Sequence, residues 1–329
     1  MKRLRVGILG CGGIARAHAR VLLELQDEAR LVAFCDRNLH KAQALAAEFT
    51  DGKAAVFADH HALLEHAGLD LLIVALPPYG HSDEVEQAAR RGVHLLIEKP
   101  IALELPLAWR MVEAAEQAGI KTQVGFMYRF GEALERLQSL DTGPVGLVSA
   151  RYFCNALHAP WWRDRARSGG QMVEQVIHLF DLLRYLLGDP VTVYAKAANL
   201  FHRDTPGYTA EDVSATVAAF EGGALGVVYA TNGAIPGRWI KDFRLVAQKL
   251  TADFTDPNRA TFHFTTGPEQ PPLEVGSARD LFLAQMHDLI RAIRDDRPAR
   301  TPIREGAKSL EFALAARQSA ETGQEVRLR

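Results

Sequence analysis

The 329-residue sequence has only three cysteines, Cys11, Cys35 and Cys154. Their odd number and the lack of metal-ligand spacing argue against a disulfide framework and fit a reducing cytoplasm, where we expect the protein to work. An excess of basic residues is also missing, with 38 Lys and Arg against 40 Asp and Glu. The composition therefore indicates neither nucleic acid nor an anionic membrane as a partner.

Long hydrophobic runs are absent as well. Lys2-Arg3 and the apolar stretch Val6–Leu9 superficially resemble a secretory leader, but the stretch is too short, and we interpret it as the first strand of the fold. The sequence shows no transmembrane segment, internal repeat or low-complexity tract. A chain of this length exceeds a typical single hydrophobic core, so we expect two domains, residues 1–126 and residues 127–329.

Among the features that are present, Gly169–Gly188 predicts one buried helix, because the residues after its two glycines are apolar on nearly every side. Its polar side chains fall at steps of three, four and three, which places them on one face: Gln171, Glu174, His178 and Asp181. Because buried ionisable groups need partners, a Glu and a His one turn apart indicate a candidate acid/base pair. The alternative is a core helix whose polar groups cap neighbouring backbone.

The first third of the chain alternates short apolar runs with helical patterns. The predicted strands are Arg5–Leu9, Arg30–Cys35, Ala54–Phe57, Leu69–Leu76, Val93–Ile97 and Lys121–Phe126. The predicted helices run to about Glu28 and then over Leu39–Phe49, His60–Ala67, Ser82–Arg91 and Leu105–Ala118. Six strands with crossover helices predict an α/β fold with a doubly wound parallel sheet of the Rossmann type.

A glycine turn joins the first strand to the first helix. It has the form GxGxxA, in which glycines let backbone N–H groups approach a pyrophosphate, and we expect it to bind a dinucleotide through Gly10, Gly12, Gly13, Ile14 and Ala15.

Asp36 ends the second strand, where a carboxylate would bond a ribose 2′-hydroxyl. An acidic residue there should repel a 2′-phosphate, which favours NAD. Arg37 beside it could accommodate that phosphate, so NADP stays open as the cofactor.

With these motifs in place, the sequence resembles the Gfo/Idh/MocA family of oxidoreductases over nearly its whole length. The resemblance rests on the Gly10–Ala15 turn, Pro77 with His81, Glu98-Lys99-Pro100, Val124-Gly125-Phe126 leading to Arg129-Phe130, the Gly169–Asp181 segment and Ser319-Ala320-x-x-Gly323.

The resemblance implies that Lys99, Glu174 and His178 surround the reacting carbon. It differs from the common family pattern in having Glu174 where an Asp is usual and Val176 where a small residue is common, which we interpret as a subfamily with a Glu-Gln-x-x-His helix. Lys99 also follows a buried strand, and strand ends in such a sheet face the ligand crevice. There it can polarise a substrate oxygen, or else lie at the surface paired with Glu98.

Further cofactor and substrate contacts are predicted around these groups. Pro77, His81 and Glu98 are assigned to the cofactor side, although His81, before a candidate N-cap Ser82, has an equally good structural role. The expected substrate-binding residues are Lys99, Arg129, Trp162, Arg163, Glu174, His178 and Asp181. Trp162 and Arg163 belong to a loop whose aromatic and arginine side chains could stack on a sugar and hold an anionic group. The alternative is a solvated loop packed by its tryptophans.

The second domain is expected to be α+β with a large, mostly antiparallel open sheet. Its predicted strands are Val145–Phe153, Val191–Asn199, Val213–Phe220, Ala224–Thr231, Phe243–Ala247, Leu250–Phe254 and Thr261–Thr265. In the family this sheet commonly makes subunit contacts, so the resemblance implies a homodimer or homotetramer. Helices over about residues 280–321 are expected to pack back on the first domain.

The sequence therefore predicts a nicotinamide-dependent oxidoreductase acting on a secondary alcohol of a small molecule: a sugar, cyclitol or related polyol. In the predicted mechanism His178 takes the hydroxyl proton, Glu174 orients the imidazole and Lys99 bonds the developing alkoxide. The competing assignment makes Lys99 the base.

Two other classes of function remain open. One is a non-catalytic regulator that binds a dinucleotide and a sugar. The other is a redox enzyme for a dihydrodiol, an imine or a tetrapyrrole. No metal site is expected, because His60, His61 and His66 fit the polar face of a surface helix.

Overall fold

The computed structural model describes residues 3–66 and 68–328. Its first part alternates strands and helices: β1 (Leu4–Leu9), α1 (Gly13–Glu24), β2 (Ala29–Cys35), α2 (Leu39–Thr50), β3 (Ala55–Phe57), α3 (His60–Leu64), β4 (Leu71–Val74), α4 (Glu84–Arg90), β5 (His94–Ile97), α5 (Leu105–Gln117) and β6 (Thr122–Val124). Short 3₁₀ turns cover Pro78–Gly80 and Met127–Phe130.

The rest of the chain is richer in strands: α6 (Glu132–Gln138), β7 (Val145–Phe153), α7 (Pro160–Arg163), α8 (Arg165–Ser168), α9 (Gln171–Glu174), α10 (Ile177–Leu187), β8 (Pro190–Ala198), β9 (Val213–Phe220), β10 (Leu225–Thr231), β11 (Phe243–Ala247), β12 (Leu250–Asp256), β13 (Arg259–Phe264), β14 (Leu273–Gly276), α11 (Leu281–Arg294), α12 (Ile303–Thr322) and β15 (Val326–Arg327). A third 3₁₀ turn covers Glu221–Gly223.

The chain forms two compact units. Unit 1 comprises the residues up to Gly125 together with Asp280–Ala307, and unit 2 comprises Phe126–Arg279 and the residues from Lys308. Helix α11 therefore belongs to unit 1, whereas α12 belongs to unit 2 from Lys308 onward.

Unit 1 contains a six-stranded parallel sheet with the order β3-β2-β1-β4-β5-β6, which confirms the predicted doubly wound fold. Strand β4 is buried along its whole length, as its uninterrupted apolar sequence requires. Strands β2 and β3 extend the sheet on one side of β1, and β4, β5 and β6 extend it on the other side. Ligands of such sheets bind at the carboxyl ends of the strands where the order changes side, here between β1 and β4. The fold thus places the ends of β1, β4 and β5 at a ligand-binding edge.

Local signals explain where the elements of unit 1 begin and end. The Asn38 side chain accepts the backbone N–H of His40 and caps α2, and Asp51 ends that helix in a left-handed conformation. Four helices are shorter than predicted: α1 stops at Glu24 rather than near Glu28, α3 stops at Leu64, α4 covers only Glu84–Arg90, and α5 ends one residue early at Gln117. The predicted end of α3, Ala67, lies outside the described residues.

Unit 2 is built on a nine-stranded sheet with the order β14-β13-β12-β11-β7-β10-β9-β8-β15. Its pairs are antiparallel except for β7 with β10, which confirms the mostly antiparallel open sheet. Strands β14 and β15 were not predicted, because β14 is short and half exposed and β15 has only two residues. Helix α10 packs against β7 and β10, and its Phe180 contacts Phe312 of α12 at 4.7 Å between ring centroids.

Over the described residues, none of the helices combines the length and the apolar character needed to cross a membrane.

Candidate active site

The glycine turn of unit 1 has the conformation that its sequence predicts. Gly10 has φ +87°, and a Cβ placed there would lie 2.5 Å from the carbonyl oxygen of Ala75, so only glycine fits. A Cβ on Gly12 or Gly13 would instead meet no atom within 4 Å. The start of α1 therefore has a bare backbone whose first N–H groups lack helical partners, and this is the arrangement that holds a pyrophosphate.

Asp36 closes the turn from the end of β2. Its Oδ2 accepts the backbone N–H of Cys11 at 2.9 Å and its Oδ1 accepts that of Asn38 at 2.8 Å. The half-exposed carboxylate keeps lone pairs for a ribose hydroxyl, since each oxygen can accept two hydrogen bonds. Arg37 is exposed beside it. The turn and this acid together fit an NAD molecule.

The ends of β4 and β5 carry the other residues predicted for the cofactor. Pro77 precedes the 3₁₀ turn Pro78–Gly80, and His81 follows it with a fully buried side chain. Nδ1 of His81 lies 2.6 Å from Glu84, and this bond ties His81 to the start of α4. Burial raises the pKa of Glu84, but the hydrogen bond and charge of His81 outweigh that effect and lower it overall.

Glu98 and Lys99 follow β5 directly. Glu98 is buried, with Oε1 2.7 Å from Nε2 of His18 on α1, and Lys99 is half-buried. The Lys99–Pro100 peptide bond is cis.

In unit 2, the single helix predicted over Gly169–Gly188 is wrong: the structure has two helices, α9 and α10. The carbonyl oxygen of Gln171 accepts the backbone N–H groups of both Gln175 and Val176 at 3.0 Å, so the turn after α9 holds an extra residue. Helix α10 then ends before Gly188, as predicted.

The widened turn interrupts the 3.6-residue period between Glu174 and His178. Their spacing is therefore not that of neighbours on a regular helix. Both remain buried, at 6% and 8% exposure respectively.

The imidazole of His178 is held between aromatic rings. Tyr128 stacks on it with ring centroids 4.9 Å apart and an interplanar angle of 21°, and Phe126 meets it edge-on at 6.3 Å. Burial raises the pKa of Tyr128, so its phenol stays protonated, and its hydroxyl has no hydrogen-bond partner among the described residues. This buried, unsatisfied hydroxyl beside a titratable ring is a feature of sites that receive a polar ligand.

Sequence reasoning missed the cation of this cluster, Lys241. Its Nζ lies 5.5–5.7 Å from the ring centroids of Tyr128, Tyr152 and Trp239, a favourable cation–π arrangement. Trp239 and Lys241 are two residues apart in an extended segment, which puts both on one side of the chain. That spacing was the available signal, but nothing in the sequence linked it to His178.

Other predicted substrate residues make protein contacts of their own. Arg129 forms a bidentate pair with Asp181 at 2.6 and 2.9 Å, and Asp181 also accepts a hydrogen bond from Ser309. Burial raises the pKa of Asp181 even though Arg129 opposes that shift.

Arg163 donates to the carbonyl oxygen of Leu157 through both Nε, at 2.8 Å, and Nη2, and so closes the preceding loop. Trp162 meets Trp239 edge-on at 6.3 Å, which connects it to the ring cluster around Lys241.

A second missed residue, Glu211, fixes the start of α9. Its carboxylate accepts the backbone N–H of Met172 at 2.7 Å. Burial raises the pKa of Glu211, and this hydrogen bond and the charges of Arg165 and Arg317 counter that shift only in part.

Three neighbouring residues bring metal-binding atom types together. Ligand atoms of Asp59, His60 and His61 lie within 4.8 Å of one another. Asp59 caps α3 through the N–H of Ala62, and Nε2 of His60 lies 2.8 Å from Asp83, so hydrogen bonds to the protein engage these groups.

Comparison with known families covers nearly the whole chain. Residues 4–126 match the family described as "Oxidoreductase family, NAD-binding Rossmann fold". Residues 130–267 match "GFO/IDH/MocA C-terminal domain", and residues 244–328 match "Oxidoreductase family, C-terminal alpha/beta domain".

Individual dehydrogenases are similar to this chain in sequence and in structure. Myo-inositol 2-dehydrogenase of Thermotoga maritima is 28% identical over 335 residues, 99% of this chain and 98% of that protein. scyllo-Inositol 2-dehydrogenase (NAD(+)) of Bacillus subtilis is 30% identical over 70% of this chain and 68% of that protein. The WlbA dehydrogenase of Bordetella pertussis, solved with NADH and UDP-GlcNAcA, aligns with a TM-score of 0.87 at 26% identity over 100% of this chain and 99% of that one.

These matches confirm the predicted family, fold class, enzyme class and cofactor. This chain belongs to the Gfo/Idh/MocA family of oxidoreductases, and NAD is its cofactor.

Proposed function

We propose that this protein oxidises a secondary alcohol of a sugar, cyclitol or related polyol, with His178 as the base that accepts the hydroxyl proton. The observation that carries this proposal is the setting of His178: a buried titratable ring stacked on Tyr128, whose hydroxyl lacks a hydrogen-bond partner in the described chain. A base of this kind must be shielded from bulk water yet able to exchange a proton with a bound hydroxyl.

Each side chain has one role in the proposed reaction. The imidazole of His178 takes the hydroxyl proton of the alcohol as the carbinol carbon is oxidised to a ketone. Glu174 favours the cationic imidazole, and Lys99 donates a hydrogen bond to the developing alkoxide. NAD supplies the hydride acceptor when it is bound, and the residues that would hold it are Gly12, Gly13, Ile14 and Asp36.

The substrate class is supported by the relatives. The proteins from Thermotoga maritima and Bacillus subtilis are named as inositol dehydrogenases, and they match this chain in both of its units. A cyclitol or sugar hydroxyl is therefore the first substrate class to test.

The test is a panel of cyclitols, sugars and hydroxy acids assayed with NAD for the appearance of reduced nicotinamide. On the best substrate, His178→Asn should lower kcat by a factor of about 10² to 10⁴ and flatten the pH dependence, while the Kd for NAD stays unchanged. His263→Asn, at an exposed histidine of β13, is the matched control.

Two results would contradict the proposal. If His178→Asn retained the full rate with an unchanged pH profile while Lys99→Met lost it, Lys99 would be the base. If NAD bound tightly and no compound of the panel turned over, the regulatory alternative would be favoured.

We also propose that the protein is a cytoplasmic homodimer or homotetramer that associates through the open sheet of unit 2. Three exposed apolar side chains, Leu225, Leu147 and Val246, face one another across the central strands β10, β7 and β11. The three free, buried cysteines support the cytoplasm as its location. The molar mass in solution, measured by light scattering, tests the assembly, and a monomer at micromolar concentration would contradict it.

A further inference from the structure

A buried histidine on the cofactor-binding helix has no part in the chemistry proposed above. His18 lies on α1, the helix that the glycine turn opens, and its side chain has 0% exposure. Its Nε2 lies 2.7 Å from Oε1 of Glu98, which directly precedes Lys99. A histidine–carboxylate bond thus connects the helix of the dinucleotide turn to the residue before the lysine.

The chemical state of His18 follows from its other nitrogen. Nδ1 is buried and has no hydrogen-bond partner among the described residues. A doubly protonated ring would bury an unpaired N–H together with a charge, whereas a neutral ring with its proton on Nε2 leaves only an unpaired acceptor. Among the described residues, the His18 ring therefore has its one polar contact through Nε2, with the Glu98 carboxylate. Phe282 of α11 meets its ring edge-on at 5.4 Å and restricts its rotation.

Gly125 limits the Glu98 carboxylate from the opposite side. A Cβ on Gly125 would lie 2.5 Å from Oε2 and 2.8 Å from Cδ of Glu98, so the carboxylate occupies the space that any other residue would need. The backbone is held as well, because Glu98 donates its N–H to Val74 at 2.9 Å and Gly125 donates to Ile97 at 2.9 Å. Both the side chain and the backbone of Glu98 are thus fixed on several sides within unit 1.

We propose that His18 is a positioning residue: by holding the carboxylate of Glu98, it fixes the direction from which Lys99 leaves β5, and it does so from the helix that carries the cofactor turn. This inference rests on the role proposed for Lys99. It assigns to α1 a second task besides binding the pyrophosphate, because the same rigid helix sets the place of the dinucleotide and the place of the lysine. Small displacements of a reacting group are costly, and a misplacement of about 1 Å can reduce a rate about 100-fold.

Two variants separate positioning from simple stabilisation. His18→Leu removes the donor at similar volume, and His18→Gln places an amide N–H close to where Nε2 lies. We expect His18→Leu to lower kcat about 10-fold or more, with the Kd for NAD and the KM for the alcohol each within about twofold of wild type. His18→Gln should restore most of kcat, although it does not restore the ring contact with Phe282.

A matched control removes a similar bond elsewhere in unit 1. His60 forms a 2.8 Å Nε2–carboxylate bond with Asp83, and His60→Leu should leave kcat unchanged.

A double-mutant cycle with Lys99→Met tests whether the loss of kcat in His18→Leu acts through Lys99. In the Lys99→Met background, His18→Leu should lower kcat no further, because the group that it positions is gone. If Lys99→Met alone leaves kcat intact, the proposed role of Lys99 fails. If Lys99→Met lowers kcat and His18→Leu does not, only the positioning role fails, and additive losses in the cycle would likewise overturn it.

Gly125→Ala would displace the Glu98 carboxylate while His18 stays unchanged. It is the substitute test if His18→Leu does not fold. It should lower kcat with the Kd for NAD retained, and full activity of a folded Gly125→Ala enzyme would overturn the proposal.

Discussion

The glycine turn of unit 1 and the His178 cluster of unit 2 are two candidate functional regions built in opposite ways. The turn uses backbone groups of a short contiguous segment, and its partner Asp36 follows at the end of the next strand. The cluster uses side chains from separate parts of the sequence, since Lys241 follows Tyr128 by more than a hundred residues.

The difference shows which kind of site a single sequence can reveal. Backbone sites require particular residue types at fixed spacing, because φ angles and close approach leave few alternatives. Side-chain sites require only that the fold bring suitable groups together. The predictions below test this contrast, from the largest expected effect to the smallest.

The largest effect is expected within the turn itself. Gly10→Ala forces a side chain onto a residue with φ +87° and against the Ala75 carbonyl, so it should lower the free energy of unfolding by about 2 kcal/mol or more. The methyl group added by Gly12→Ala would meet no protein atom, so stability should be unchanged. The same methyl group would stand where the pyrophosphate approaches the backbone, and it should raise the Kd for NAD by about tenfold, or about 1.4 kcal/mol. Thermal unfolding and NAD titration of both variants would measure this, and equal stabilities would show that the two glycines do not differ in role.

A smaller effect is expected in the His178 cluster. Lys241→Met removes an ammonium held over Tyr128, Tyr152 and Trp239, and it should raise the KM for the alcohol by about tenfold with NAD binding unchanged. Lys196 lies 5.5 Å from the exposed ring of Tyr194, so Lys196→Met is the matched control. Equal kcat and KM values for the two variants would show that Lys241 does not contribute to binding of the alcohol.

The smallest effect concerns the pH dependence of stability. Burial raises the pKa of Glu211 above its ordinary value of 4.5. The protonated carboxyl therefore favours the folded state below pH 4.5, and this contribution to stability is lost as the pH rises through the pKa of the folded protein. Glu211→Gln keeps an acceptor for the Met172 N–H and removes the ionisation, so its Tm should fall less than the wild-type Tm as the pH rises above 4.5. Exposed Glu269 provides the control, Glu269→Gln, and parallel Tm curves for wild type and Glu211→Gln would contradict the expected effect.

Much of the fold could be predicted because its signals are local. Strands such as Val145–Phe153, Val213–Phe220 and Phe243–Ala247 have the predicted bounds, since alternating apolar residues mark one buried face of a sheet. The edge strands β14 and β15 could not be predicted, because a short, half-exposed strand is defined by the neighbour with which it pairs.

The segment Gly169–Gly188 shows the limit of sequence-based prediction within one element. Its apolar periodicity predicted burial correctly but a continuous helix wrongly. The turn after α9 is widened where the Gln175 side chain accepts from Gln171 at 3.2 Å and from Cys154 at 3.3 Å. Such bonds depend on residues that another strand brings close, so hydrophobic periodicity cannot encode them.

By itself, the sequence determined the parallel sheet, the dinucleotide turn with Asp36, and the identities of Lys99, Glu174 and His178 as candidates. Each of these follows from contiguous patterns governed by backbone geometry and periodic burial. Only the tertiary structure decided that Tyr128 and Lys241 accompany His178, that Arg129 pairs with Asp181, and that His18 holds Glu98. These contacts join residues far apart along the chain, and their geometry exists only once the sheets have formed and packed against their helices.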